Sequence, residues 1–196
     1  MSRIRTGSAV WVPLVVCLSG GGAGAQGLEP GPPGPFVVDV RGTSSGVPSN
    51  LFTLSGATTP ATVPSRGYGL SVGGHAYFMP LGPSRLGLGA EVMFARGSTV
   101  DARSTVWSAA PHLSVNFGTG DGWSYLSAGI GAARLAQDPG RTATVRAIHM
   151  GGGARWFAKP RLGIGFDFRV YRLADGEGGE VPGATLTALS VGVSLK

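Results

Sequence analysis

Apolar and polar residues alternate along most of this chain, and the pattern is clearest over residues 145–173. Within that stretch Pro160 separates two alternating runs, and a proline suits a turn because it has no N–H to donate to a neighbouring strand. A period of two places successive side chains on opposite faces of a β-strand. The stretch therefore predicts a long β-hairpin with one apolar face and one face of glycines and charges. The apolar set of its second strand is Leu162, Ile164, Phe166, Phe168 and Val170.

The same alternation recurs in further segments, and the count predicts eight strands in all. Longer polar segments follow the first, third, fifth and seventh strands, whereas shorter turns follow the second, fourth and sixth. Pro80 and Pro83 mark one of these turns, and residues 118–122 form another. Such an alternation of long loops and short turns is typical of membrane-spanning barrels. The predicted strands cover residues 36–41, 66–78, 86–95, 105–117, 123–135, the two halves of 145–173, and 184–196.

Composition decides which face of the strands meets water. Charged residues make up 13% of the chain, against about 25% in a typical soluble domain. Because the polar face is mostly glycine and serine, it is too poor in charge to cover the exterior of a soluble protein, and we expect the apolar face to contact lipid. In hydrocarbon every backbone polar group must be paired, which strands achieve only in a closed barrel. The predicted fold is all-β, an eight-stranded antiparallel up-and-down transmembrane β-barrel.

The first 25 residues predict a cleaved secretory signal peptide. Arg3 and Arg5 precede a short apolar run at residues 9–18, and residues 23–25 (Ala-Gly-Ala) fit a cleavage site. The apolar run is shorter than the roughly 20 residues that a spanning helix needs. An alternative for this segment is lipidation at Cys17, the one cysteine of the chain. Beyond it, residues 26–35 predict an extended Pro/Gly-rich leader, and residues 36–196 predict the barrel.

Many glycines of the alternating runs share the polar parity, which faces the lumen of the predicted barrel. An eight-stranded barrel is only just wide enough inside for side chains, so large inward residues need small neighbours. Two strand registers meet this condition: one pairs Phe78 with Leu86, and the other pairs Trp156 with Leu162. The same glycines do not predict a phosphate-binding loop, because that needs a strand, a turn and a helix in succession.

Charged residues on the inward parity predict a network inside the lumen. Residues 83–91 and 159–167 are similar in sequence, and each segment ends in a carboxylate. Buried charges persist only when they are paired, so the residues favour a paired network that plugs the barrel over a gated pore or a proton path. The predicted network consists of Glu91, Arg155, Asp167, Arg169 and His149.

No residues are predicted to be catalytic or to bind metal, no cofactor is expected, and the chain is interpreted as not an enzyme. His112 and Ser114 could form a base–hydroxyl pair for lipid cleavage, but their parity faces the lumen and no acidic residue on that strand orients the histidine. Asp175, Glu177 and Glu180 are better explained as a solvated acidic loop than as a cation site. The net charge of +6 is dispersed, so no nucleic-acid partner is expected.

The amino-terminal segment, the eight alternating strands and the hairpin at 151–173 (GGGARWF followed by PRLGIGFDFRVYRL) resemble the small outer-membrane β-barrel proteins of Gram-negative bacteria. That group includes the opacity-like proteins and the membrane domain of OmpA-type proteins. The resemblance implies a protein of the cell outer membrane, exported with a cleaved signal peptide. Its implied partners are outer-membrane lipid and lipopolysaccharide, the barrel-assembly machinery, and an extracellular ligand bound through the loops.

Three functions remain open from the sequence. The first is a non-enzymatic outer-membrane barrel whose lumen is plugged by polar side chains and whose loops contact the exterior, in a structural, adhesive or host-interaction role. The second is a narrow channel or a carrier of small apolar molecules across the outer membrane. The third is a soluble carrier of the lipocalin type, in which the apolar face would turn inward.

Overall fold

The computed structural model describes residues 34–47, 63–118, 120–138, 140–176 and 181–196. The predicted signal peptide, most of the predicted leader, and Glu177 and Glu180 lie outside these ranges. In the described ranges no helix is long and apolar enough to cross a membrane. The strands are β1 (Phe36–Gly46), β2 (Arg66–Leu81), β3 (Ser84–Ser98), β4 (Arg103–Phe117), β5 (Gly122–Asp138), β6 (Thr142–Trp156), β7 (Leu162–Leu173) and β8 (Ala184–Leu195).

The eight strands close into a barrel in which each strand pairs with the next and β8 pairs with β1. All of these pairings are antiparallel, and Val40 of β1, for example, lies opposite both Val72 of β2 and Val193 of β8. Closure leaves no unpaired sheet edge, which is the condition for strands in a hydrocarbon environment. The predicted eight-stranded antiparallel up-and-down barrel is confirmed.

Several strands extend further toward the long loops than the sequence predicts. Residues 42–46 were expected to begin a large loop because they are small and polar, yet they continue β1. They pair with residues 66–70 of β2, and part of the segment also pairs with β8. Backbone pairing to neighbours on both sides therefore keeps the segment extended despite its polar side chains. In the same way β3 runs on to Ser98 and β5 to Asp138. The connections after β3 and β5 therefore span only residues 99–102 and 139–141, so the prediction of long loops there is wrong, whereas the connections after β1 (47–65) and β7 (174–183) are long as predicted. The end of the barrel that carries these four connections is the long-loop end.

The turn between β2 and β3 is made by Gly82 and Pro83. Gly82 has a φ of 58°, a left-handed conformation that suits glycine at the first position of a two-residue hairpin turn. Pro80 does not mark the turn as predicted, because β2 continues through it and Pro80 lies opposite Arg85.

The predicted register between β2 and β3 is confirmed along most of the hairpin, where Tyr77 lies opposite Gly87. It is wrong at the last predicted pair, because Leu86 lies opposite Met79 and not Phe78. A β-bulge between Tyr77 and Met79 inserts the extra residue. The bulge leaves both Phe78 and Met79 exposed on the outer wall.

The predicted register between β6 and β7 is wrong by two residues, because Trp156 lies opposite Ile164 and not Leu162. Phe157 explains the shift: its N–H donates to the carbonyl oxygen of Asp121 at 2.8 Å, and its side chain is buried in the barrel end. The chain therefore runs on past Trp156 before it turns back. A shift of two residues keeps every side chain on its predicted face.

The apolar parity faces outward around the barrel. Leu88, Ile130, Ile164 and Val191 are 55%, 51%, 63% and 63% exposed, whereas the polar residues that alternate with such positions are buried. A soluble carrier of the lipocalin type would place the apolar face inside, so the third hypothesis is contradicted by this arrangement.

Outward aromatic side chains mark both ends of the apolar wall, and Phe166 and Phe168 lie between them. Aromatic rings of this kind favour the two interfaces between a membrane and water. The wall is therefore laid out as an apolar band with an aromatic belt at each border. The belt near the long loops contains Tyr68, Phe94 and Trp107, and the belt near the short turns contains Phe36, Phe78, Phe117 and Trp156.

Candidate functional site

Inward side chains divide the barrel interior into three levels. Residues nearest the long loops are mostly apolar, residues in the middle are charged or polar, and residues nearest the short turns are mostly aromatic. The three levels correspond to positions along the strands: one level comes from the strand ends near the long loops, one from the strand middles, and one from the strand ends near the short turns. Together the three levels decide whether the lumen is open.

Asp39 of β1 is the central acceptor of the middle level. Its carboxylate accepts two hydrogen bonds from Arg155, one from Nε at 2.9 Å and one from Nη2 at 2.7 Å. It also lies 2.7 Å from Nη2 of Arg41 and accepts a hydrogen bond from the hydroxyl of Ser194 at 2.6 Å. Asp39, Arg41 and Arg155 are all buried. Two guanidinium groups thus lie against this one carboxylate.

Arg169 of β7 joins the other two carboxylates of the middle level. Its Nε lies 2.8 Å from Oδ1 of Asp167, and its Nη2 lies 3.0 Å from Oε2 of Glu91. Glu91 also accepts a hydrogen bond from the hydroxyl of Tyr171 at 3.2 Å. The second group is therefore centred on a guanidinium, whereas the first is centred on a carboxylate.

Arg41 and Tyr125 connect the two groups. Nη1 of Arg41 lies 3.4 Å from Oε2 of Glu91, and its Nη2 donates to the hydroxyl of Tyr125 at 3.0 Å. That hydroxyl donates in turn to Oδ2 of Asp167. The ring of Tyr125 also lies against Arg155, whose guanidinium carbon is 4.0 Å from the ring centroid. The result is one continuous network across the lumen.

The network contains three carboxylates and three guanidinium groups, so its formal charge is zero. The structure brings together Glu91, Arg155, Asp167 and Arg169, which the sequence also placed in the lumen. His149 lies at the edge of the network, with Nδ1 3.4 Å from Nη1 of Arg169. Charge balance of this kind is what a buried ionic cluster needs in order to persist.

Sequence reasoning missed Asp39 and Arg41. The signal was present, because both alternate with the apolar residues Phe36, Val38 and Val40 and therefore share the inward parity. The prediction drew only on the two similar hairpins, whose charges were expected to pair with each other. Arg155 instead pairs with β1, which is remote in sequence and is brought close by closure of the barrel.

The level nearest the long loops contains an apolar cluster, so the plug does not consist of polar side chains alone, contrary to the prediction from the sequence. Inward side chains of the strands supply most of it, and Val47 and Val181, which lie outside the strands, complete it. No member is more than 6% exposed. The cluster contains Val47, Met93, Val106, Ala133, Leu135, Val145, Ala147, Tyr171, Leu173, Val181, Leu186 and Ala188.

The level nearest the short turns is a buried cluster of Val37, Tyr77, Trp123 and Phe157. The ring centroids of Trp123 and Phe157 are 4.6 Å apart, and those of Tyr77 and Trp123 are 6.4 Å apart. The ammonium of Lys196 lies 4.6 Å from the ring centroid of Trp123 and 4.2 Å from that of Phe157. These rings occupy the lumen at the turn end, and the ammonium of Lys196 packs against them.

The three histidines of the chain all face the lumen and are buried. The ring centroid of His112 lies 4.7 Å from that of His75 and 5.7 Å from that of His149. The hydroxyl of Ser114 lies 2.8 Å from Nδ1 of His75, so the structure gives Ser114 a different partner from the His112 considered above. Both ring nitrogens of His112 and Nε2 of His149 are buried and form no hydrogen bond with the described part of the protein, so the three rings are held mainly by packing against one another.

Within the described ranges, no group of three or more His, Cys, Asp or Glu side chains could hold a metal ion. In the acidic loop, Oδ1 of Asp175 accepts a hydrogen bond from the N–H of Gly183 at 2.6 Å. This contact gives Asp175 a local structural role in the connection between β7 and β8.

Comparisons with known proteins agree with the fold. The chain is similar to the crystal structure of Ail, the attachment invasion locus protein of Yersinia pestis, with a TM-score of 0.55 and 12% sequence identity over 82% of this chain and 96% of that one. It is also similar to Neisserial surface protein A, with a TM-score of 0.58 and 16% identity over 83% of this chain and 97% of that one. No protein-family model and no curated protein matches the sequence. The shared feature is the fold of a small eight-stranded outer-membrane barrel.

Proposed function

We propose that this chain is a non-enzymatic protein of the outer membrane of a Gram-negative bacterium, with a closed lumen and with surface loops that contact the exterior. Its apolar outer wall and two aromatic belts support insertion into a bilayer. Insertion follows export with a cleaved signal peptide and assembly by the barrel-assembly machinery, as the resemblance in sequence implies. The loop end of the barrel then faces the outside, and the start of β1 and the end of β8 face the periplasm.

The observation that carries the proposal is the filling of the lumen at three successive levels. Water and ions that enter from the loop end meet the apolar cluster around Leu135 and Leu173, which fills the interior there and offers them little to replace their hydration. Below it the charged network joins strands on opposite sides of the barrel. At the turn end Trp123 and Phe157 occupy the interior. A small barrel filled in this way favours a lumen that is plugged by side chains over a lumen that conducts ions or solutes.

A closed lumen leaves the loop-end surface as the part of the barrel that can meet other molecules outside the cell. Four connections lie there, and those after β1 (residues 47–65) and β7 (residues 174–183) are long, whereas those after β3 and β5 span four and three residues. Loops held on a rigid barrel commonly carry binding functions. The similarity to Ail, named as an attachment invasion locus protein, favours a role in surface contact such as adhesion or host interaction, and a purely structural role is its alternative.

Planar-bilayer recording tests the closed lumen. The purified protein is reconstituted into bilayers, and insertion is verified independently by the resistance of the folded barrel to protease. We expect no steady single-channel steps from the unmodified chain. Shortening Arg169 by an Arg169→Ala substitution also leaves the bilayer silent, because the apolar and aromatic levels still close both ends of the barrel.

The competing function is a narrow channel, and it predicts a different result. A conducting lumen would give steady steps with the unmodified protein, and their size would rise when Arg155 or Arg169 is shortened. Steady conductance from inserted, unmodified protein overturns the proposal. A carrier of small apolar molecules, the other competing function, would give a silent bilayer but faster uptake of an apolar dye into vesicles that contain the protein, and that result would also contradict it.

A further inference from the structure

Three arginines form a row on the outer wall at the loop end of β5, β6 and β7. Arg146 lies opposite Ala132, which is two residues from Arg134 along β5. Arg172 lies opposite Ile148, which is two residues from Arg146 along β6. Each arginine is therefore the diagonal neighbour of the next, and such positions are about 7–8 Å apart. All three side chains are exposed, so their guanidinium groups can converge on one ligand.

The row lies at the border of the apolar wall. Arg134 is directly opposite Trp107, a member of the loop-end aromatic belt. Toward the short turns the next outward residue of β6 is Ile148, which is 47% exposed, whereas toward the loops the next one is Thr144. Tryptophan at such a border marks the depth of lipid headgroups. The three guanidinium groups therefore lie at headgroup depth in the leaflet on the loop side.

No acidic side chain in the described part of this wall balances the three charges. Asp138 is the one carboxylate among the outward residues of β5, β6 and β7, and it pairs with Arg103 at 3.9 Å. Arg172 donates to the hydroxyl of Thr185 at 3.1 Å, a neutral partner. Within the described ranges none of the three arginines forms an ion pair.

We propose that Arg134, Arg146 and Arg172 form a binding site for the phosphate groups of a membrane glycolipid in the loop-side leaflet, of the lipid A class carried by lipopolysaccharide. The inference rests on the proposed function, since it requires the wall to be embedded in lipid. A guanidinium donates a fork of hydrogen bonds that matches phosphate geometry. Neighbouring phosphates on one headgroup would satisfy several members of the row, while the acyl chains pack against Ile148 and the apolar wall below.

Retention of lipid A by the purified protein tests the site. The full chain is reconstituted in phosphatidylcholine nanodiscs that contain a small fraction of bisphosphorylated lipid A, and lipid retained after delipidation is measured by native mass spectrometry. The test variant replaces all three arginines by glutamine. Its matched control replaces Arg85, Lys159 and Arg161 near the turn end by glutamine, which is the same change in charge at the opposite end of the barrel.

The unmodified chain and the turn-end control are expected to retain lipid A equally. Each arginine near an anionic lipid surface raises affinity about fivefold, so the triple variant is expected to bind on the order of 100-fold more weakly. A triple lysine variant keeps the charge but loses the guanidinium fork, and we expect intermediate retention. Dephosphorylated lipid A is not retained by any of the proteins, and free inorganic phosphate does not displace the bound lipid at equal concentration.

Equal retention of lipid A by the triple glutamine variant and the unmodified chain overturns the site. Equal loss in the turn-end control also overturns it, because that result reports net charge and not position. Failure of the unmodified protein to enter nanodiscs is a different outcome, which contradicts the proposed function. Protease resistance measured on every variant separates a lost site from a lost fold.

Discussion

Replacing Asp39 by asparagine removes one negative charge from the centre of the lumen network. Arg155 makes two hydrogen bonds to this carboxylate at 2.9 and 2.7 Å, and Arg41 lies 2.7 Å from it. Breaking a buried ion pair by neutralising one partner costs about 3–5 kcal/mol, because the remaining charge stays buried without compensation. We therefore expect Asp39→Asn to lower the free energy of unfolding by about 3–5 kcal/mol.

The measurement is reversible urea unfolding of the barrel in lipid vesicles, followed by tryptophan fluorescence. Asp138→Asn is the matched control, since Asp138 and Arg103 form an ion pair at 3.9 Å with side chains 77% and 50% exposed. That change is expected to cost about 0–1 kcal/mol. Adding Arg155→Gln to Asp39→Asn should restore part of the stability, because it removes one of the charges left without a partner.

Two results would refute this reasoning. One is an Asp39→Asn barrel as stable as the Asp138→Asn control. The other is a double variant whose loss of stability equals the sum of the two single losses, because that result would mean that Asp39 and Arg155 do not interact.

Three further predictions use the same unfolding assay. Asp167→Asn should destabilise the barrel by about 3–5 kcal/mol. Adding Arg169→Gln should restore only part of this stability, because Arg169 also pairs with Glu91. Full recovery in the double variant would contradict the pairing of Arg169 with both carboxylates. Val191→Arg should lower the free energy of unfolding by about 2–4 kcal/mol, because an arginine on the lipid face near the bilayer midplane is destabilising. An unchanged urea midpoint would argue against contact of Val191 with lipid. Gly129→Ala should lower the free energy of unfolding by about 1–3 kcal/mol, because the added Cβ would overlap the carbonyl oxygen of Pro111. Gly122→Ala is the control, since the nearest atom to a Cβ there is 3.7 Å away. Equal losses of stability at the two glycines would refute the overpacking argument.

The faces of the strands could be predicted from the sequence because they depend only on parity. A period of two fixes which residues share a side, and low charge identifies the apolar side as the outer one. A register error of two residues at Trp156 therefore left every inward residue inward. That robustness explains why Glu91, Arg155, Asp167 and Arg169 meet in the lumen although the β6–β7 register was wrong.

The partners inside the lumen could not be predicted in the same way, because they depend on closure and on height along the barrel. Arg155 reaches Asp39 only because β8 pairs with β1 and brings the first strand back beside the last ones. The apolar level at the loop end also escaped prediction. Most of its members, such as Leu135 and Leu173, lie in strands that the sequence predicts, but Val47 and Val181 come from predicted loops. Parity does not show at which height along the barrel the inward residues are apolar, and the cluster forms only when closure brings the strand ends together.

The orientation of the wall is the central claim, and labelling of adjacent cysteines in β8 tests it most directly. Val191 is 63% exposed and Ser190 is 4% exposed, so neighbouring residues should face lipid and lumen respectively. Each is replaced by cysteine in a Cys17→Ser background, which leaves one cysteine in the chain, and a thiol-reactive probe confined to the bilayer is added to vesicles that contain the protein. We predict that Val191→Cys reacts and Ser190→Cys does not. Reaction at Ser190→Cys with protection of Val191→Cys would contradict the account.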